Sequence, residues 1–126
     1  MNSVFDIKAR RDQTKNNIFL DDNVTLARYD QQKYAWIDKL TEKQHGFFWR
    51  PQEIDVTRDA KDFKALTPHE QHIFTSNLLR QTALDSLQGR GPSQIFTPVV
   101  SLPELEALVY NWTFFETNIH SRSYSH

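Results

Sequence analysis

The sequence predicts an all-α chain, and three observations lead there. Apolar residues recur every three to four positions along several long stretches. Two proline-bearing helix starts, Thr67-Pro68-His69-Glu70 and Ser101-Leu102-Pro103-Glu104, repeat one pattern. No stretch alternates polar and apolar residues with the period of two that a half-buried strand needs.

Taken in order, residues 1–23 are polar and lack sustained periodicity, which predicts an extended N-terminal arm pinned through Ile18, Phe19 and Leu20. Residues 24–126 are expected to form one helical domain, incomplete at its C-terminal end. Tyr34, Ile37 and Leu40 follow a helical period from about Tyr29 to Gln44, with Trp36 flanking the apolar side and Gly46 as the stop. Phe47-Phe48-Trp49-Arg50-Pro51 is a bulky connector, because Pro51 biases Arg50 away from helical geometry. A short helix is expected from Arg58 to Ala65.

Thr67 then offers an N-cap, Pro68 an N1 proline and Glu70 an N3 carboxylate, a capping box that should launch a helix reaching Gln88. Gly89-Arg90-Gly91-Pro92 stops it, and 92–100 reads as a linker carrying Ile95-Phe96. Ser101 to Glu104 repeats the box and starts a last helix of about 24 residues, roughly 36 Å long, running through Leu105, Leu108, Val109, Trp112, Phe115 and Ile119. No glycine, proline or capping group closes it at His126.

Composition narrows the function. Fifteen Lys and Arg balance 16 Asp and Glu, so no global field points to nucleic acid or an anionic membrane surface. The Lys8, Arg10, Arg11 and Lys15 cluster is diluted by Asp6 and Asp12. The absence of cysteine removes disulfides and thiolate chemistry. No apolar run approaches the roughly 18 residues of a membrane span, and there is no signal core, so a cytoplasmic protein is expected.

The chemistry-bearing residues lie on the two long helices. Glu116, His120 and Tyr124 stand at four-residue steps, each turning the helix by about 40°, so they form a ladder on one face beside Trp112. A buried carboxylate needs a cation, a hydrogen bond or a metal. Two readings therefore fit: a solvated Glu/His pair, or a metal ligand pair beside a phenol. Asp85 adds a second carboxylate on the other long helix, where it is either a hydrogen-bonded polar residue or a further ligand. Helical bundles assemble dimetal sites from such residues, and oxygen and imidazole donors suit iron or manganese. Trp49 on these grounds is a packing anchor. His45, His69 and His72 read as surface or capping residues.

Several segments together resemble the small, radical-generating subunit of class Ia ribonucleotide reductase, of the enterobacterial and phage type. They are Ala27-Arg28-Tyr29-Asp30-Gln31-Gln32-Lys33-Tyr34, Phe47-Phe48-Trp49-Arg50-Pro51, Asp85-Ser86-Leu87-Gln88-Gly89-Arg90, Pro103-Glu104-Leu105-Glu106 and Ile119-His120-Ser121-Arg122-Ser123-Tyr124. The resemblance spans about residues 18–126. It implies the N-terminal part of a ferritin-like bundle that holds a diiron centre, with manganese the second choice, and stores a tyrosyl radical for deoxyribonucleotide synthesis. By the same resemblance Asp85, Glu116 and His120 correspond to metal ligands, Tyr124 to the radical tyrosine and Trp49 to the electron-transfer tryptophan. The implied partners are the large reductase subunit and a companion C-terminal chain or a second copy.

Two departures stand out. The family spaces its ligands Glu-x-x-His, whereas Thr117, Asn118 and Ile119 separate them here. One extra residue rotates His120 and Tyr124 by about 100° in an ideal helix. A π-bulge can absorb it, the site can be misbuilt, or an i,i+4 pair can serve as it stands. The chain also stops at His126, which leaves too few ligands for two irons, so no stable radical is expected from this chain alone. An alternative reading is a non-catalytic helical module that pairs with a small subunit.

Overall fold

The structure, a computed structural model, describes residues 8, 9 and 11–125; His126 and the uncapped helix end expected there lie outside them. The described residues hold helices α1 (Ala35–His45), α2 (Asp59–Ala65), α3 (Pro68–Gln88), α4 (Gly91–Ile95), α5 (Pro103–Phe114) and α6 (Ser121–Ser123), with a π segment (Phe115–His120) joining the last two. Among them the one β interaction is an isolated bridge between Phe19 and Val100.

The first capping box forms as expected. The Thr67 hydroxyl accepts from the Glu70 N–H, and the Glu70 carboxylate accepts from the Thr67 N–H at 2.8 Å. The second does not form. Pro103 sits at the first helical position and makes Leu102 the N-cap, so Ser101 is one residue too early and its hydroxyl accepts from the Asp21 N–H instead. Glu104, only 2% exposed, reaches across to another helix and accepts the N–H groups of Lys33 and Tyr34 at 3.1 and 3.0 Å. That external cap explains why α1 begins at Ala35 rather than near Tyr29: Tyr34 is its N-cap and has no cap of its own. Residues 92–95, read as linker, complete the short helix α4, with Pro92 in its first turn.

The core is small. Leu102 is fully buried, and Ile37, Val100, Val109 and Ile119 are nearly so. It lies along α5, against which α1 and α4 pack, while α3 packs against the π segment and α6. Asn111 donates to Gln44 Oε1 at 2.7 Å and ties α5 to the end of α1. Residues 18–20 meet residues 99–101 through Leu20 N–H to the Val99 carbonyl and Ser101 N–H to the Ile18 carbonyl, while the buried Asn16 donates to the Ser101 carbonyl. By contrast α3 buries none of its 21 residues, and Ile73, Phe74, Leu84 and Leu87 of its expected apolar stripe are exposed.

The last long helix changes register in its middle. The Ser121 N–H bonds the Glu116 carbonyl five residues back, and backbone angles stay helical on both sides. Of the three outcomes open for the extra residue, the structure takes the π turn, with Asn118 inside it and exposed.

Candidate metal centre

Asp85 lies in the last full turn of α3, while Glu116 is the second residue of the π segment and His120 its last. Packing of α3 on that segment brings the three together: one ligand atom from each lies within 4.8 Å of the others, and all three residues are half-buried. Glu116 is held in place from two sides. Its Oε1 accepts the Trp112 indole N–H at 3.2 Å, and its Oε2 lies 3.1 Å from His120 Nδ1. Trp112 stands one α-turn before Glu116, the spacing at which side chains on a helix meet. The i,i+4 spacing of Trp112 and Glu116 is the sequence signal for this contact, beyond their sharing one face.

Tyr124, at the C-cap of α6, comes to this cluster rather than continuing away from it. Its phenol shares a hydrogen bond with Asp85. Burial first, then that bond and the negative charges of Asp85 and Glu116, push its pKa up from 10.0 to about 12. Each cause acts in one direction, because a phenolate would be desolvated and would face two carboxylates.

Trp49 lies outside the ligand cluster but lines the same cleft, of about 350 Å³, as Glu116, His120, Trp112, Phe115 and Phe47. The connector before Pro51 therefore delivers an indole to the wall of the cleft from a different part of the chain. His45, His69 and His72 are exposed, and among the described residues none of them joins the ligand group.

The donor set fits a hard or borderline divalent cation. Two carboxylates and an imidazole converge, and among the described residues no lysine or arginine pairs with Asp85 or Glu116. Nitrogen and oxygen donors without thiolate favour iron or manganese over softer metals.

Comparison with known proteins adds the lineage. The family described as "Ribonucleotide reductase, small chain" matches residues 27–126. The chain belongs to this family. Its fold is accordingly the ferritin-like helical one, and the chain is 57% identical over 117 residues to the ribonucleoside-diphosphate reductase subunit beta of Haemophilus influenzae. It is 56% identical over 119 residues to the ribonucleoside-diphosphate reductase 1 subunit beta of Salmonella typhimurium, and 47% identical over 109 residues to the corresponding subunit beta of Enterobacteria phage T4. These matches cover 93%, 94% and 86% of this chain but 31%, 31% and 28% of the relatives. The chain thus spans about a third of the length of the curated relatives it matches. Among the described residues no helix is long and apolar enough to cross a membrane.

Proposed function

We propose that this chain carries one side of the diiron site of a ribonucleoside-diphosphate reductase small subunit, with Asp85, Glu116 and His120 as metal ligands. The observation that carries the reading is the convergence of these three donors, with Tyr124 bonded to one of them, in a member of this family. Dimetal sites in helical bundles draw a carboxylate from each of two helices and a Glu/His pair from each of two others. One carboxylate helix and one Glu/His helix are present here, which is half of that set.

When bound, such a centre supplies the oxidising power that dioxygen provides. The chain's own residues then have separate tasks. The Trp112 indole N–H orients the Glu116 carboxylate through Oε1, and His120 Nδ1 stands 3.1 Å from Oε2. Tyr124 is the site of oxidation: it loses one electron and its phenolic proton, and the hydrogen-bonded Asp85 carboxylate is the near acceptor for that proton. Burial and negative surroundings keep the phenol protonated until then. Trp49, on the cleft wall, is the electron-transfer residue linking the site toward the large subunit. The product is a deoxyribonucleotide made from a ribonucleoside diphosphate, and the compartment is the cytoplasm.

The test combines this chain with a second chain covering the rest of the relatives' length, ferrous iron and dioxygen. A tyrosyl signal in electron paramagnetic resonance, absent from Tyr124→Phe, together with nucleotide reduction upon adding the large subunit, supports the reading. Absence of both iron uptake and the signal refutes it. The exposed apolar face of α3 favours a second reading, a module that pairs with an intact small subunit without catalysis. Inhibition of an intact subunit by the iron-free chain would favour that one.

A further inference from the structure

The C-terminal end of α3 meets the π segment at an unusually close approach. A Cβ built on Gly89 would lie 2.3 Å from Thr117 Cγ2 and 3.3 Å from the Thr117 backbone nitrogen. Gly89 adopts ordinary right-handed helical angles, φ −65° and ψ −25°, so its backbone conformation does not call for glycine. The other two glycines show the contrast. A Cβ on Gly46 meets only the carbonyl of its own turn at 3.3 Å, and one on Gly91 meets nothing within 4 Å. Gly89 alone of the three lacks a side chain where another element presses against it.

The position matters because of what lies on either side. Gly89 is one turn beyond Asp85, and its N–H bonds the Asp85 carbonyl at 2.7 Å. Thr117 directly follows Glu116 in the π segment. The Thr117 methyl cannot simply rotate away without cost, since its Oγ1 donates to the Thr113 carbonyl at 2.6 Å and holds the rotamer. Carbon atoms rest about 3.5–4.0 Å apart, so a methyl at position 89 would force the two elements apart by more than an ångström or break that hydrogen bond. Either response moves Glu116 relative to Asp85, and metal–oxygen bonds of about 2 Å do not stretch to follow.

We infer that Gly89 is a positioning residue for the metal centre: its missing side chain lets Thr117 seat against α3 and sets the Asp85 to Glu116 separation. The inference rests on the metal-site reading above but concerns a residue that touches no ligand atom. It accounts for a buried glycine in a conformation any residue could adopt.

The experiment compares the full chain with Gly89→Ala, Thr117→Ser, the double variant Gly89→Ala/Thr117→Ser, and Gly91→Ala as control. Thr117→Ser removes the methyl that the new Cβ would strike and keeps the hydroxyl. Mn²⁺ binding, read by electron paramagnetic resonance, should weaken at least ten-fold in Gly89→Ala with helical circular dichroism unchanged. The double variant should return to within about three-fold of wild type, and both Thr117→Ser and Gly91→Ala should bind as wild type. Equal binding by Gly89→Ala, or no recovery in the double variant, overturns the inference. If the wild type takes up no Mn²⁺, the metal reading fails separately, and the contact is then read in metal-free protein. Gly89→Ala should shift the backbone amide resonances of residues 115–121, with Thr117→Ser restoring them in the double variant; unshifted resonances, or shifts that the double variant does not reverse, overturn the inference.

Discussion

Glu104 is the most exposing test of how this fold is held, because one buried carboxylate caps a helix to which it does not belong. Replacing it by alanine removes the acceptor of the Lys33 and Tyr34 N–H groups, at 3.1 and 3.0 Å, and the negative charge at the N-terminus of α1. A hydrogen bond to a charged group contributes about 1.5–3 kcal/mol, and the charge at a helix start about 0.3–1 kcal/mol. The two bonds share one oxygen, and Lys33 is exposed enough for water to replace part of its loss, so the expected cost is about 2–4 kcal/mol. Glu104→Gln keeps a neutral acceptor and should lose roughly half of that. For a chain of this size the alanine variant should melt about 10 °C lower. Urea unfolding followed by circular dichroism gives the energies, and amide exchange should quicken first at Lys33 and Tyr34. An alanine variant within about 0.5 kcal/mol of wild type would refute the cross-helix cap.

Other consequences follow from the same contacts. Thr67→Ala should destabilise α3 by about 1 kcal/mol in urea unfolding. The Thr67 hydrogen bonds hold the Glu70 carboxyl below its ordinary 4.5, so the support is present above that value and fades as pH falls through the lower folded value; helical circular dichroism should show an acid step absent from Glu70→Gln. Tyr124 carries the opposite sign. Its folded value, about 12, lies above the ordinary 10.0, so its contribution is complete below pH 10 and is lost as pH rises toward 12. Phenolate absorbance should show one late-ionising tyrosine that Tyr124→Phe removes, and a late step persisting in that variant would exclude the Asp85 contact. Trp112→Phe, which deletes the indole donor to Glu116, should weaken Mn²⁺ binding roughly ten-fold with little change in folding.

Legibility in the sequence followed how local each signal was. Thr67, Pro68 and Glu70 could be read directly, since a capping box is complete within four residues. Ser101 and Glu104 show the same spacing, yet Pro103 shifts the helix start by one residue and frees Glu104 for a partner 70 residues away; the proline's place was the overlooked signal. The five-residue α4 offers too little periodicity to be read. The stripe of α3 was correctly periodic, but periodicity does not say what covers a face, and here Ile73, Phe74, Leu84 and Leu87 remain exposed. Glu116 and His120 were within reach of spacing, because they share one helix. Their meeting with Asp85, and the bond from the Tyr124 phenol to Asp85, depend on how α3 lies against the π segment. Asn118 illustrates the limit most clearly: the added residue can sit in a π turn or in a regular helix, and only the fold around it selects the π turn.

The central claim is that Asp85, Glu116 and His120 form one metal-binding unit. Mn²⁺ titration of the full chain by electron paramagnetic resonance, beside Asp85→Asn, Glu116→Gln and His120→Ala, tests it most directly. One site per chain is expected in the wild type, with at least ten-fold weaker binding in each variant. A wild type that binds no Mn²⁺, or variants that bind it as the wild type does, would contradict it.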